Sequence, residues 1–133
     1  MSVGRILVVD EFVPWQHLVL GLFESETDLQ IISSAVDGTE AVQKAEELQP
    51  DLILMDLGLP GMNGIEATSQ IGIVSPGSKV LFLTHHREPD LIQAAFDAGA
   101  SGYVLKSDFN ADLIPAVRAV LLGQKFVSRS LTN

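Results

Sequence analysis

The sequence contains no cysteine, which excludes disulfide bonds, thiolate metal sites and a cysteine nucleophile. It also lacks an apolar run long enough to span a membrane, because the patch at residues 6–9 is interrupted by Asp10 and Glu11. Basic residues are scarce: 8 Lys and Arg against 17 Asp and Glu give a formal charge of −9, which disfavours nucleic-acid binding. These absences predict a soluble, cytoplasmic protein that binds neither nucleic acid nor membrane directly.

Short β-rich runs alternate with helical patterns along the 133 residues, a length that suits one domain. The runs lack polar alternation, which is typical of strands buried on both faces of a sheet. We therefore predict a doubly wound α/β domain with five parallel strands and helices on both faces. The predicted strands cover residues 5–9, 29–35, 51–55, 79–83 and 102–105.

Amphipathic patterns between the runs predict helices over residues 18–23, 38–48, 64–73 and 89–98, and a last helix through residues 113–121. Asn63 is expected to cap the third helix. Pro115 is tolerated in the last helix if Asp112 is its N-cap, because backbone N–H groups of the first turn have no helical partner. Residues 123–133 show no pattern. We interpret residues 4–127 as the domain and 128–133 as a tail or linker stub.

Polar residues directly follow four of the predicted strands. Asp10 and Glu11 follow the first strand, Asp56 the third, Thr84 the fourth and Lys106 the fifth. Right-handed crossovers bring the carboxyl ends of parallel strands to one edge, where open α/β sheets bind ligands. Any one of these residues could be a helix cap or a solvated loop residue. All of them together predict a functional site at this edge.

The residue types in this set suit phosphoryl transfer. Close carboxylates repel one another, and a hard cation such as Mg²⁺ relieves the repulsion while keeping several of its waters. One carboxylate can act as the nucleophile and become an acyl phosphate. The Lys106 ammonium and the Thr84 hydroxyl can then contact phosphoryl oxygens, so positioning and charge carry most of the chemistry.

Four motifs resemble those of the receiver domain of bacterial two-component response regulators, over roughly residues 4–127. They are VVDE at 8–11, LMDLGLPGMNG at 54–64, LFLT at 81–84 and GYVLKSD at 102–108. The resemblance implies a flavodoxin-like fold with strand order 2-1-3-4-5. The LKSD form resembles the NarL/FixJ-type subfamily, whose receivers precede a helix-turn-helix DNA-binding domain. Control of transcription through such a domain, absent from this sequence, is the implied output.

The same resemblance implies that a sensor histidine kinase phosphorylates Asp56. It also implies a site for Mg²⁺ (or Mn²⁺) formed by Asp10, Glu11, Asp56 and the backbone carbonyl of Gly58. Such a domain catalyses only its own phosphotransfer and slow autodephosphorylation, so we do not predict an enzyme.

Three further residues match the switch of the family. Thr84 matches its switch hydroxyl, Lys106 its phosphate-binding lysine and Tyr103 the aromatic residue that changes rotamer. Movement of these residues is implied to reshape the face formed by the fourth helix, fifth strand and fifth helix. Homodimerisation on activation is implied as well, although no residue pattern fixes the interface.

The sequence departs from the family pattern at three positions. Glu11 stands where aspartate is common, His85 where a small residue follows the threonine, and Ser107 where many receivers have a cis-forming proline. His85 keeps open a second interpretation, a degenerate receiver that acts without phosphorylation. A third, a Mg²⁺-dependent phosphohydrolase, is disfavoured because Gly58 occupies the place of that class's general acid.

Two aromatic features have simpler interpretations. Trp15 is expected to pack over the start of the first helix, with a partner contact as the alternative. His85 and His86 are adjacent, but neighbouring side chains diverge on a strand, so a solvated loop is favoured over a metal pair.

Overall fold

Six parallel strands form the centre of the structure, a computed structural model that describes residues 3–131. The strands are β1 (Gly4–Val9), β2 (Leu29–Ala35), β3 (Leu52–Met55), β4 (Lys79–Thr84), β5 (Gly102–Leu105) and β6 (Phe126–Val127). Their order in the sheet is β2-β1-β3-β4-β5-β6. This confirms the predicted fold and the order of the first five strands. The prediction for residues 132 and 133 lies outside the described residues.

Five helices cover the two faces of the sheet. They are α1 (Val13–Phe23), α2 (Gly38–Leu48), α3 (Gly64–Val74), α4 (Pro89–Asp97) and α5 (Phe109–Leu121). Helices α1 and α5 pack on one face, and α2, α3 and α4 pack on the other. Within residues 3–131, none of the helices has the length and apolar character needed to cross a membrane.

The central strands are apolar on both faces because helices cover both. In β1, Ile6 and Val8 pack towards α1 and α5, whereas Leu7 and Val9 pack towards the opposite helical layer. All four side chains are buried. Successive strand residues point to opposite faces, so a strand buried on both sides shows no polar alternation.

Two predicted helix starts are wrong. α1 begins at Val13 rather than at residue 18, with Pro14 in the first turn, where the fixed φ of proline favours helix initiation.

α5 begins at Phe109, so Asp112 is not its N-cap and Pro115 lies inside the helix. Pro115 is exposed, and so is Ala111, the residue whose carbonyl a proline at position 115 cannot pair. The buried Asp112 carboxylate instead accepts a hydrogen bond from the backbone N–H of Arg129, at 3.4 Å.

Residues 123–133 show no periodic sequence pattern, but this segment contains strand β6. Phe126 and Val127 pair with β5, and a 3-10 turn follows over Arg129–Leu131. Between them, Ser128 is buried: its N–H donates to the carbonyl of Tyr103, and its hydroxyl accepts from the N–H of Leu105 at 2.9 Å. A strand of two residues is too short to show a periodicity. The domain boundary at residue 127 stays a prediction.

The junction between β3 and α3 is a close approach of two backbones. The Asn63 side chain accepts from the N–H of Glu66 at 2.9 Å, which confirms the predicted cap. A Cβ atom on Gly64 would lie 2.6 Å from the backbone oxygen of Asp56 and 2.8 Å from a ring carbon of Phe82. Glycine at position 64 therefore lets α3 begin directly against Asp56, the residue that follows β3.

We expect Gly64→Ala to lower the free energy of unfolding by roughly 1–3 kcal/mol, because the new methyl group overlaps backbone that cannot easily move. Gly72→Ala is the matched control, since Gly72 lies in the same helix and a methyl group on it would meet nothing within 4 Å. That variant should gain roughly 0.5–1 kcal/mol from helix propensity. Urea unfolding followed by circular dichroism measures both. Equal stability of the two variants would contradict the close approach.

Candidate functional site

The sheet brings Asp10 and Asp56 to adjacent positions at its carboxyl edge. Strands β1 and β3 are neighbours, and each aspartate directly follows its strand. The hydrogen bonds of the sheet extend to both residues. The N–H of Asp10 donates to the carbonyl of Ala35 at 3.1 Å, and the N–H of Asp56 donates to the carbonyl of Val9 at 3.0 Å. The backbone at both carboxylates is therefore fixed by the sheet.

Lys106 connects the two aspartates. Its Nζ lies 2.7 Å from Oδ2 of Asp10 and 3.2 Å from Oδ2 of Asp56. The Lys106 side chain is 3% exposed, against 7% for Asp10 and 17% for Asp56. A charged ammonium is rarely buried without a partner of opposite charge, and the Lys106 ammonium has two such partners. Two carboxylates and one ammonium leave one formal negative charge in excess, which favours a further cation.

Each carboxylate also accepts a backbone hydrogen bond on its other oxygen. Oδ1 of Asp10 accepts from the N–H of Phe12 at 2.9 Å, and Oδ1 of Asp56 accepts from the N–H of Leu57 at 2.7 Å. These bonds fix the orientation of each carboxylate. Sequence patterns gave no sign of them.

An open cleft of about 540 Å³ lies over this ion-paired group. Glu11 is exposed on its rim, and Gly58 is exposed in the loop after β3. The lining residues are Asp10, Glu11, Phe12, Trp15, Asp56, His85 and Lys106.

The donor set suits a hydrated Mg²⁺ ion rather than a metal enclosed by side chains. Among residues 3–131, no three His, Asp or Glu side chains come close enough to hold a metal by themselves. Mg²⁺ needs only one or two carboxylates and keeps several waters. Asp10 and Asp56 meet that requirement, because both contact the same ammonium and both line the cleft.

Thr84 and Tyr103 are tied to the loop between β4 and α4. The fully buried Thr84 hydroxyl accepts from the N–H of His86 at 3.4 Å. The fully buried Tyr103 ring packs against Phe82, and its hydroxyl donates to the carbonyl of His86 at 2.8 Å. Neither residue lines the cleft. His86 is thus the point where these two predicted switch residues meet.

Sequence reasoning missed the contacts that Trp15 makes at the cleft. Its ring packs edge-on against Phe109 and His85, with centroids 5.2 and 5.8 Å apart, and the Lys106 ammonium lies 4.9 Å from its centroid. The predicted first helix began too late to include Trp15. Pro14 was the available signal, because proline is common in the first helical turn.

The two adjacent histidines point to different partners. His85 is exposed and contacts Trp15, whereas Nδ1 of His86 lies 3.5 Å from the carboxylate of Glu88.

Burial raises the pKa of Tyr103 to about 12, and the negative charges of Glu88 and Asp56 act in the same direction. Because Tyr103 is the one tyrosine in the sequence, tyrosinate absorbance reports on it alone. The raised pKa contributes stability that is present below about pH 10, the unfolded value, and is lost as the pH rises towards 12. We expect a titration midpoint well above 10 while circular dichroism shows a folded chain. A midpoint near 10 in the folded protein would mean that the ring is solvated.

Comparisons with known proteins agree with this architecture. Residues 6–118 match the model of the response regulator receiver domain. The transcriptional regulatory protein LiaR of Bacillus subtilis is 38% identical over 120 residues, which cover 90% of this chain and 57% of LiaR. The response regulator protein VraR of Staphylococcus aureus gives the same identity and coverage. The chain therefore spans little more than half the length of these relatives.

Solved structures show the same similarity. A two-component response regulator of the LuxR family from Aurantimonas sp. SI85-9A1 superposes with a TM-score of 0.93 at 36% identity, covering 98% of this chain and 93% of that one. The response regulator domain of Thermotoga maritima CheB gives a TM-score of 0.84 at 29% identity, covering 91% and 98%.

Proposed function

The chain belongs to the response regulator receiver domain family, and from this premise we propose that Asp56 accepts a phosphoryl group from a sensor histidine kinase. The observation that carries the proposal is the Lys106 ammonium, which lies 2.7 Å from Asp10 and 3.2 Å from Asp56 at the carboxyl edge of the sheet. This group combines a nucleophilic carboxylate with the Lys106 ammonium, which can pair with phosphoryl oxygens.

Asp56 is better placed than Asp10 to be the nucleophile. Its side chain is 17% exposed, against 7% for Asp10, so an incoming phosphorus atom can reach it from the cleft. In the proposed step a carboxylate oxygen of Asp56 bonds to phosphorus. The bond from phosphorus to the imidazole nitrogen of the kinase's phosphohistidine breaks, and its electron pair leaves with that nitrogen.

We assign the site for Mg²⁺ or Mn²⁺ to the carboxylates of Asp10 and Asp56. Glu11 and the backbone carbonyl of Gly58 stay proposed ligands that would have to move closer, because among residues 3–131 no three acidic side chains are close enough to hold a metal. When bound, the ion neutralises negative charge on the phosphoryl oxygens. The excess negative charge of the ion-paired group and the hard oxygen donors on the cleft support this assignment. Asp10 would orient the site, and Lys106 would move its contact from carboxylate to phosphoryl oxygen.

The proposed switch passes through His86. Its N–H donates to Thr84 and its carbonyl accepts from Tyr103, so a change at the Thr84 hydroxyl reaches the β4–α4 loop directly. Phosphorylation would offer the Thr84 O–H a charged acceptor, and a turn of the hydroxyl towards that acceptor would draw it away from the N–H of His86. Because Tyr103 is already buried, we expect phosphorylation to stabilise this buried position of Tyr103 on the α4, β5 and α5 face by shifting a population.

Partners and output are proposals about a longer protein. Relatives at 38% identity include a transcriptional regulatory protein, which supports transcription as the output. A formal charge of −9 makes this domain a poor DNA ligand, so DNA contact is assigned to a helix-turn-helix domain elsewhere. Homodimerisation on activation belongs to the same proposal. We propose no turnover of an external substrate, since Gly58 offers no general acid.

A second candidate function is an interaction module that does not depend on phosphorylation. The observation in its favour is that Lys106 already pairs with both aspartates while the His85 side chain lines the cleft. Cation binding distinguishes the two functions, because a degenerate site has no need of it.

We expect Asp56→Asn to abolish labelling by acetyl phosphate in the presence of Mg²⁺, because an amide oxygen is a poor nucleophile. Intact-protein mass spectrometry measures the added phosphoryl group. Asp97→Asn is the matched control: Asp97 is exposed at the end of α4, where it accepts from Gln93. It should be labelled like the wild type. Labelling of Asp56→Asn at the wild-type level would remove Asp56 from the mechanism.

We expect Mg²⁺ to change the fluorescence of Trp15 saturably, because the cation competes with Lys106 for its carboxylates and Lys106 lies 4.9 Å from the indole centroid. Trp15 is the one tryptophan in the sequence, so the signal has a single source. Asp10→Asn should weaken the response, whereas Asp97→Asn should retain it. A wild-type protein that shows no cation binding, by fluorescence or by calorimetry, would favour the interaction module.

A further inference from the structure

The Lys106 ammonium has a third neighbour besides the two aspartates, the face of the Trp15 ring at 4.9 Å from its centroid. The ring is itself fixed by edge-on contacts with Phe109 and His85, with centroids 5.2 and 5.8 Å away. α1 supplies Trp15 and α5 supplies Phe109, whereas His85 lies in the β4–α4 loop. Three separate elements thus hold one aromatic face against the ammonium.

The Lys106 ammonium needs a contact that persists while Asp56 is phosphorylated. The four-carbon stem of Lys106 is flexible, and its ammonium is a point charge without a fixed geometry. Phosphorylation converts the carboxylate of Asp56 to an acyl phosphate, and a bound cation would contact the carboxylates of Asp10 and Asp56. Among the three partners that the described residues offer this ammonium, the Trp15 ring is the one that is neither phosphorylated nor proposed as a metal ligand.

We propose that Trp15 is a positioning residue for phosphoryl transfer, acting by a cation–π contact that holds the Lys106 ammonium towards the cleft. The inference rests on the proposed function of Asp56. With acetyl phosphate as the donor, a carboxylate oxygen of Asp56 bonds to phosphorus. The P–O bond to acetate breaks, and acetate leaves with the electron pair. Lys106 contacts the phosphoryl oxygens throughout, and Trp15 limits the number of conformations that its side chain can adopt.

The test compares Trp15→Leu with Trp15→Phe. Leucine keeps an apolar side chain at this position but removes the aromatic face, whereas phenylalanine keeps a face with a weaker attraction for a cation. We expect Trp15→Leu to slow labelling by acetyl phosphate at saturating Mg²⁺ by about threefold to tenfold, the range that a partly desolvated cation–π contact gives. Trp15→Phe should retain most of the wild-type rate. Urea midpoints establish that both variants are folded.

Phe96→Leu is the matched control, because it removes the contact of the Lys125 ammonium with the Phe96 ring, 5.4 Å away and outside the cleft. This variant should be labelled at the wild-type rate.

Three results would overturn the inference: equal slowing of the leucine and phenylalanine variants at Trp15, no slowing of either, or equal slowing by Phe96→Leu. If the wild type itself is not labelled at Asp56, the proposed function fails instead. The labelling of the wild type therefore separates the two failures.

Discussion

The pairing of one buried ammonium with two carboxylates is the constraint on which the site depends. Strands β1 and β3 are adjacent, so Asp10 and Asp56 arrive side by side, while Lys106 comes from β5 on the far side of β4. Only a long side chain can reach across the end of β4 to both acids. The arrangement leaves one formal negative charge in excess, which favours a further cation.

Much of the fold follows from local physics. Short continuous apolar runs are typical of strands covered on both faces, and the cap at Asn63 has a direct sequence signature. The wrong predictions also have physical causes. Pro115 suggested a helix start near Asp112, but an exposed proline is tolerated within α5, and Asp112 is used by the Arg129 backbone. β6 has two residues and is fixed by its partner β5, so no local pattern could reveal it.

The site could be predicted only in part. Parallel topology alone explains why Asp10, Asp56 and Lys106 meet, because each of them directly follows a neighbouring or nearby strand. Topology does not say which way a side chain turns. The attachment of Tyr103 to the His86 carbonyl and the contact of Trp15 with Lys106 depend on rotamers and on helix packing. These are properties of the assembled molecule, and residues distant in the sequence set them.

The proposed function requires the cleft to direct a phosphoryl group to one carboxylate. The most direct measurement is reductive trapping of the acyl phosphate formed with acetyl phosphate and Mg²⁺, followed by peptide mapping of the modified residue by mass spectrometry. The account predicts modification at Asp56 alone, the more exposed of the two ion-paired aspartates. Modification at Asp10 or at a carboxylate outside the cleft, or no reduced residue at all, would contradict it.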